Sequence, residues 1–131
     1  MKDLQVDGNV VDLRTIIDKD CTLNILTFDS EEGKKAYRHT CAHVLAQAVK
    51  NLYPDAKLTI GPAIDNGYYY DFDMESLDRA ALDAIEKEMK KIIKKGDKLE
   101  RFELSKEEAI ELMTKRDEPY KVEMIKEHPD T

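Results

Sequence analysis

Residues 58–72 carry the feature that most limits how this chain can fold. Two β-patterned runs, one opening at Leu58 and one closing at Phe72, flank Asn66-Gly67. That dipeptide suits the positive φ angles of a two-residue hairpin turn. Strands joined so tightly must run antiparallel. Gly61-Pro62 in the first run predicts a bulge or kink, because proline gives no ladder donor. The second run holds Tyr68-Tyr69-Tyr70, so both of its faces present aromatic surface.

Helical periodicity surrounds this hairpin. Upstream, Tyr37, Cys41, Leu45, Ala48 and Leu52 recur at helical spacing, and Pro54 ends the run. Asp29 and Glu32 have the spacing of a capping box at its start. Downstream, Leu77, Ala81, Leu82, Ile85, Met89, Ile92 and Ile93 form the inner stripe of a second helix, with Gly96 as its C-cap. Leu99 to Leu104 reads as a strand. Ser105 and Glu108 open a helix reaching about Arg116, and Pro119 starts a last short helix with Tyr120, Lys121, Met124 and Ile125. The first thirty residues read as β: Val6 and Val10-Val11 flank the turn pair Asp7-Gly8, and Cys21, Leu23 and Ile25 alternate with Thr22, Asn24 and Leu26. Too few residues precede the first helix for a core of their own. The fold class is therefore α+β, with helices packed on an antiparallel sheet and a small β-rich N-terminal remnant.

Composition narrows the function. The chain has 131 residues, 37% of them charged, with a net charge of -7. That balance argues against a free-standing module holding nucleic acid by charge alone, though a local patch can still meet RNA. No apolar run is long enough to span a bilayer, and Met1-Lys2-Asp3-Leu4 shows no signal-peptide pattern. Cys21 and Cys41 fit no paired motif, which suits a reducing cytoplasm.

Two histidines carry the chemical signal. His39 and His43 stand four residues apart on the first helix and so project from one face. They lie roughly 200° round the wheel from the apolar stripe, beside Ala42, Ala46 and Val49. Imidazoles so placed can share a metal, share a water or grip a polar substrate. The bland alternative is a hydrogen-bonded pair on a half-buried face. A zincin-type site would require Glu where Thr40 stands. A zinc site would also need a further ligand, and Cys41 points from another face. Lys87, Lys90, Lys91, Lys94, Lys95 and Lys98 form a basic run. It reads as the solvated side of a helix or as a phosphate-contacting ridge.

The run from Arg38 through His39-Thr40-Cys41-Ala42-His43 to Ala48, with Ile60-Gly61-Pro62 and Asp65-Asn66-Gly67-Tyr68-Tyr69-Tyr70-Asp71-Phe72, resembles the N-terminal region of bacterial threonyl-tRNA synthetases. In that family the region is an editing domain related to free-standing alanyl-tRNA deacylases. The opening segment, Val6 to Thr27, resembles the end of the small ubiquitin-like TGS domain before it. The resemblance divides the chain into 1–28, part of a TGS-like domain, and 29–131, part of the editing domain.

It also implies a mechanism. Serine lacks one methyl group of threonine, and a methyl supports only ~1–3 kcal/mol of discrimination. A second site therefore hydrolyses seryl-tRNA(Thr) at its 3′ end. The resemblance makes His39 and His43 lining residues of that pocket, and it makes Lys121 of Pro119-Tyr120-Lys121-Val122 the cation near the scissile ester. The matching domain continues beyond Thr131 to a cysteine and another histidine, a role not given to His128. The chain is thus expected to be a fragment with no cofactor of its own. The aminoacylation core, with ATP and zinc, belongs to the parent enzyme, expected to be a cytoplasmic homodimer. Two alternatives remain: a free-standing deacylase, and a non-catalytic module that binds tRNA or a protein partner.

Overall fold

Backbone hydrogen bonding resolves the described residues into seven short strands and four helices. A computed structural model describes residues 3–128; Met1-Lys2 and Pro129–Thr131, with the readings that fall on them, lie outside the described residues. The strands are β1 (Asp3–Val6), β2 (Asn9–Val11), β3 (Leu23–Leu26), β4 (Lys57–Leu58), β5 (Ala63–Ile64), β6 (Gly67–Tyr68) and β7 (Phe72–Asp73). The helices are α1 (Glu31–Leu52), α2 (Arg79–Lys95), α3 (Lys106–Lys115) and α4 (Pro119–Glu127). The class is α+β, as the sequence predicts, with three small antiparallel sheets among the described residues in place of one larger sheet. The chain forms two compact units: residues 1–43 with 62–69, and residues 44–61 with 70–131.

In the first unit, β1 lies between β2 and β3, antiparallel to both. Asp7 (φ 49°) and Gly8 (φ 85°) make the β1–β2 turn, the two positive φ values that this hairpin type needs. Asp7 also accepts the Thr22 N–H at 2.8 Å, tying the turn to the entry of β3. Of β3 only Leu26 is buried, whereas Leu23 and Ile25 are exposed. α1 begins one residue later than the capping-box reading: Ser30 Oγ accepts the Gly33 N–H at 3.2 Å, so Ser30 and not Asp29 is the cap. Asp29 instead donates its N–H to Thr27 Oγ1, which holds it outside the helix.

The buried face of α1 matches the expected stripe only at Ala48 and, partly buried against the core, Leu45. Ala42, Ala46, Ala48 and Val49 are buried, while Tyr37 is 51% and Leu52 37% exposed. Small side chains allow close approach of a neighbour, and Tyr37 packs edge-on against Phe28 near the surface.

The 58–72 hairpin also departs in detail. Ile64 pairs with Gly67, so the turn residues are Asp65 and Asn66, not Asn66-Gly67. Neither has a positive φ, so the primed turn that Asn-Gly favours is not used. In the second unit, Leu58 pairs with Phe72 in β4–β7. Thr59 N–H then donates to Asp71 O while Asp71 N–H donates to Ile60 O. Two residues face one there, the count of a bulge, placed just before Gly61-Pro62.

The core of the second unit is Ala48, Val49, Ala56 and Ile85, flanked by Leu45, Tyr53, Phe72, Met74, Leu77, Met89 and Ile92. α2 is capped by Asp78, whose carboxylate accepts the Ala81 N–H, and closed by Gly96 in the left-handed region. Its inner stripe is narrower than predicted, with Leu82 and Ile93 exposed. Residues 99–104 form no strand; Leu99 and Phe102 are exposed. β-propensity reflects packing against cross-strand neighbours more than any preference of the backbone itself. Ser105 and Glu108 form the predicted capping box of α3, and Pro119 opens α4. The two helices pack together, with Lys106 Nζ donating to the His128 carbonyl at 2.9 Å.

Candidate functional site

The first unit holds the histidine pair. Helical spacing stacks both rings on an exposed part of α1, with Nε2 of His39 and Nε2 of His43 2.9 Å apart. The rings meet edge to face at 4.5 Å between centroids. At that distance one nitrogen donates and the other accepts, the roles being set by the two tautomers. Such a pair can take a proton from water on one ring and return it from the other. Among the described residues, no group of three or more His, Cys, Asp or Glu side chains could hold a metal ion.

Arg38 precedes the pair and donates from Nη1 to the carbonyls of Ile64 and Asp65. It therefore ties the β5–β6 turn to the helix turn that carries His39. Elsewhere on α1, Cys41 is a free, half-buried thiol. The Tyr68 phenol is pushed above its ordinary range, first by burial and then by the charges of Cys41 and Tyr37.

The second unit holds Lys121. Its Nζ donates to the Tyr70 hydroxyl at 3.2 Å and lies 5.7 Å from that ring's centroid. Tyr70 stacks on Phe72 with centroids 4.8 Å apart. Gly61 lies beneath the ring: a Cβ there would come within 2.0 Å of Tyr70 Cδ2. Next to Lys121, the Tyr120 hydroxyl donates to Asp73 Oδ2 at 2.7 Å. That carboxylate holds the Tyr120 phenol above its ordinary range. This leaves a half-buried ammonium held by one phenol.

The sequence and its family resemblance point to His39, His43 and Lys121, but not to Arg38 or Tyr70 as their partners. The tyrosine run signalled Tyr70 only as surface; nothing in the sequence paired it with a lysine 51 residues away. His128 is exposed, its N–H donating to Met124 O at the end of α4. The lysine run lies largely in solvent, with Lys90 paired to Glu86, Lys91 to Glu88 and Lys95 to Asp97. No helix among the described residues is long and apolar enough to cross a membrane.

No family model matches the chain. It is 61% identical to the threonine–tRNA ligase of Acetivibrio thermocellus over 127 residues, which is 96% of this chain and 20% of that protein. It is 59% identical to the same ligase of Clostridium kluyveri over 126 residues, or 95% of this chain and 20% of the other. The ligase of Caldanaerobacter subterraneus subsp. tengcongensis shares 61% identity over 125 residues, 95% of this chain and 19% of that protein. Identity this high, sustained along the chain, places it among these ligases: it belongs to the threonine–tRNA ligase family and spans about one fifth of the length of the curated relatives it matches.

Proposed function

We propose that residues 29–131 form part of a hydrolytic editing domain that clears serine from tRNA(Thr), and that residues 1–28 are the end of a TGS-like domain. The observation that carries this reading is the 2.9 Å contact between His39 Nε2 and His43 Nε2. A hydrogen-bonded imidazole pair on an exposed helix face suits ester hydrolysis.

One imidazole removes a proton from water, and the hydroxide attacks the seryl carbonyl carbon. The carbonyl π electrons move to oxygen, and the family resemblance makes Lys121 the cation that stabilises that negative charge. Collapse of the tetrahedral species breaks the ester bond. The ribose oxygen of the terminal adenosine leaves and takes up the proton from the histidine pair. Serine and uncharged tRNA result. The tRNA 3′ end is thus the partner, in a cytoplasmic, homodimeric parent. ATP and zinc serve that parent's aminoacylation core, and this segment needs neither for the hydrolysis.

Deacylation of seryl-tRNA(Thr) by the full ligase tests the reading, with His39→Ala, His43→Ala and Lys121→Ala beside the native enzyme. Each substitution is expected to slow hydrolysis by about 10²-fold or more, with no effect of a chelator. Unchanged rates in all three would overturn the editing role. Loss of hydrolysis on chelation would replace the proton pair by a metal site. The same assay on this chain alone decides whether these residues suffice without a further segment.

A further inference from the structure

We propose that Glu118 is the positioning residue for Lys121: its buried carboxylate fixes the start of α4, and so the place of the ammonium against Tyr70. This rests on the reading of Lys121 as the cation of the editing site.

Glu118 is the buried charged side chain among the described residues, only 4% exposed. Both of its oxygens are engaged. Oε1 meets Lys50 Nζ at 2.7 Å, and Oε2 accepts the Leu58 N–H at 3.1 Å. Lys50 also donates to the carbonyls of Pro54 (3.1 Å) and Ala56 (2.9 Å). An ammonium has three donors, and all three are accounted for in a fixed geometry.

Glu118 is also the N-cap residue of α4, yet its side chain makes no capping bond. The helix does not need one at its first position, because Pro119 has no N–H to satisfy. The carboxylate is therefore free to reach β4 and the end of α1. Asp117, before it, holds a left-handed φ of 55° and pairs with Lys57 on β4. The turn between α3 and α4 is thus pinned to β4 by two consecutive acids.

Lys121 follows Glu118 by three residues, just under one helical turn and ~4.5 Å along the axis. Tyr120, bonded to Asp73, forms a second tether immediately before it. With its first turn held on both sides, α4 cannot slide without breaking an ion pair. A buried ion pair is a poor means of stabilising a fold, since apolar side chains of like volume often serve as well or better. What the pair supplies is orientation, and Lys121 is the side chain placed to use it.

The test compares native protein with Glu118→Gln, and with Lys50→Gln as a second route to the same loss should Glu118→Gln not fold. In this chain, NMR reads the ring-current shift of the Lys121 Cε protons near the Tyr70 ring. In the full ligase, seryl-tRNA hydrolysis is split into kcat and KM, with Lys121→Ala and the double variants. The shift is expected to collapse towards its unfolded value. The kcat should fall by about tenfold to a hundredfold, with KM little changed. In the Lys121→Ala background the Glu118 change should add no further loss. An unchanged Cε shift in a folded variant overturns the positioning role, as do losses that multiply in the double variant. If Lys121→Ala alone leaves hydrolysis intact, the editing reading falls, and the NMR shift still decides whether Glu118 positions Lys121.

Discussion

Replacing Gly61 by alanine probes the packing around Tyr70 directly. The added Cβ would lie 2.0 Å from Tyr70 Cδ2, 2.5 Å from Cε2 and 2.7 Å from Cγ. All three atoms lie along one edge of the ring from its root outward, so turning the ring's far end gives no relief. The ring is held by its stack on Phe72 and by the hydrogen bond from Lys121. Gly61 has no positive φ, so the backbone accepts alanine and the cost is contact alone. Overpacking of this kind costs ~1–3 kcal/mol. Loss of the aromatic pair adds ~0.5–1.5 kcal/mol, and the stiffer unfolded chain returns ~0.4–1 kcal/mol. The net is a destabilisation of roughly 2 kcal/mol, which at a urea slope of ~2 kcal/mol/M lowers the unfolding midpoint by about 1 M. Urea titration followed by far-UV circular dichroism measures it. In a Tyr70→Ala background the same substitution should be neutral or mildly stabilising. A midpoint that holds or rises in Gly61→Ala alone would refute the close approach of the ring.

Three further outcomes are expected. Asp78→Ala removes the cap of α2 and should cost ~1 kcal/mol in urea unfolding; no change would mean the cap is idle. Glu108 is held below its ordinary value of 4.5 by bonds from Ser105, first the backbone N–H. A lowered folded pKa gives stability above the unfolded value, lost as pH falls through the folded one. The stability gap between native chain and Glu108→Ala should therefore narrow on acidification from pH 5, and a constant gap would count against the capping box. Tyr120 is raised above 10.0 by Asp73. Its contribution to stability is full below pH 10 and fades as pH climbs through the raised value. Ultraviolet titration should show late-ionising tyrosines, Tyr68 and Tyr120, of which one moves down in Asp73→Asn; no movement would deny the bond.

Local chemistry was the part of the fold written most clearly in the sequence. Ser105 and Glu108 sit three residues apart and form the box they predict, and Asp7-Gly8 makes its turn. Signals failed where distant pairing overrides local preference. The hairpin turn falls at Asp65-Asn66, one residue before the expected Asn66-Gly67, because Ile64 pairs with Gly67. Residues 99–104 have the composition of a strand without becoming one. The histidine pair was legible because four residues of helix bring it together. Lys121 against Tyr70, and Glu118 against Lys50 and Leu58, join residues 51 to 68 positions apart, and periodicity carries no such information.

The division of the chain into units bears on how it can be made. Each unit is assembled from two separated stretches, and the stretches alternate along the sequence. During synthesis the first unit cannot close until Tyr69 has left the ribosome, by which time residues 44–61 of the second are already waiting. Domains that fold in order from the N-terminus escape such waiting. Here the first unit is completed only after residues 44–61 of the second have been made, and no single cut in the backbone yields one unit free of the other.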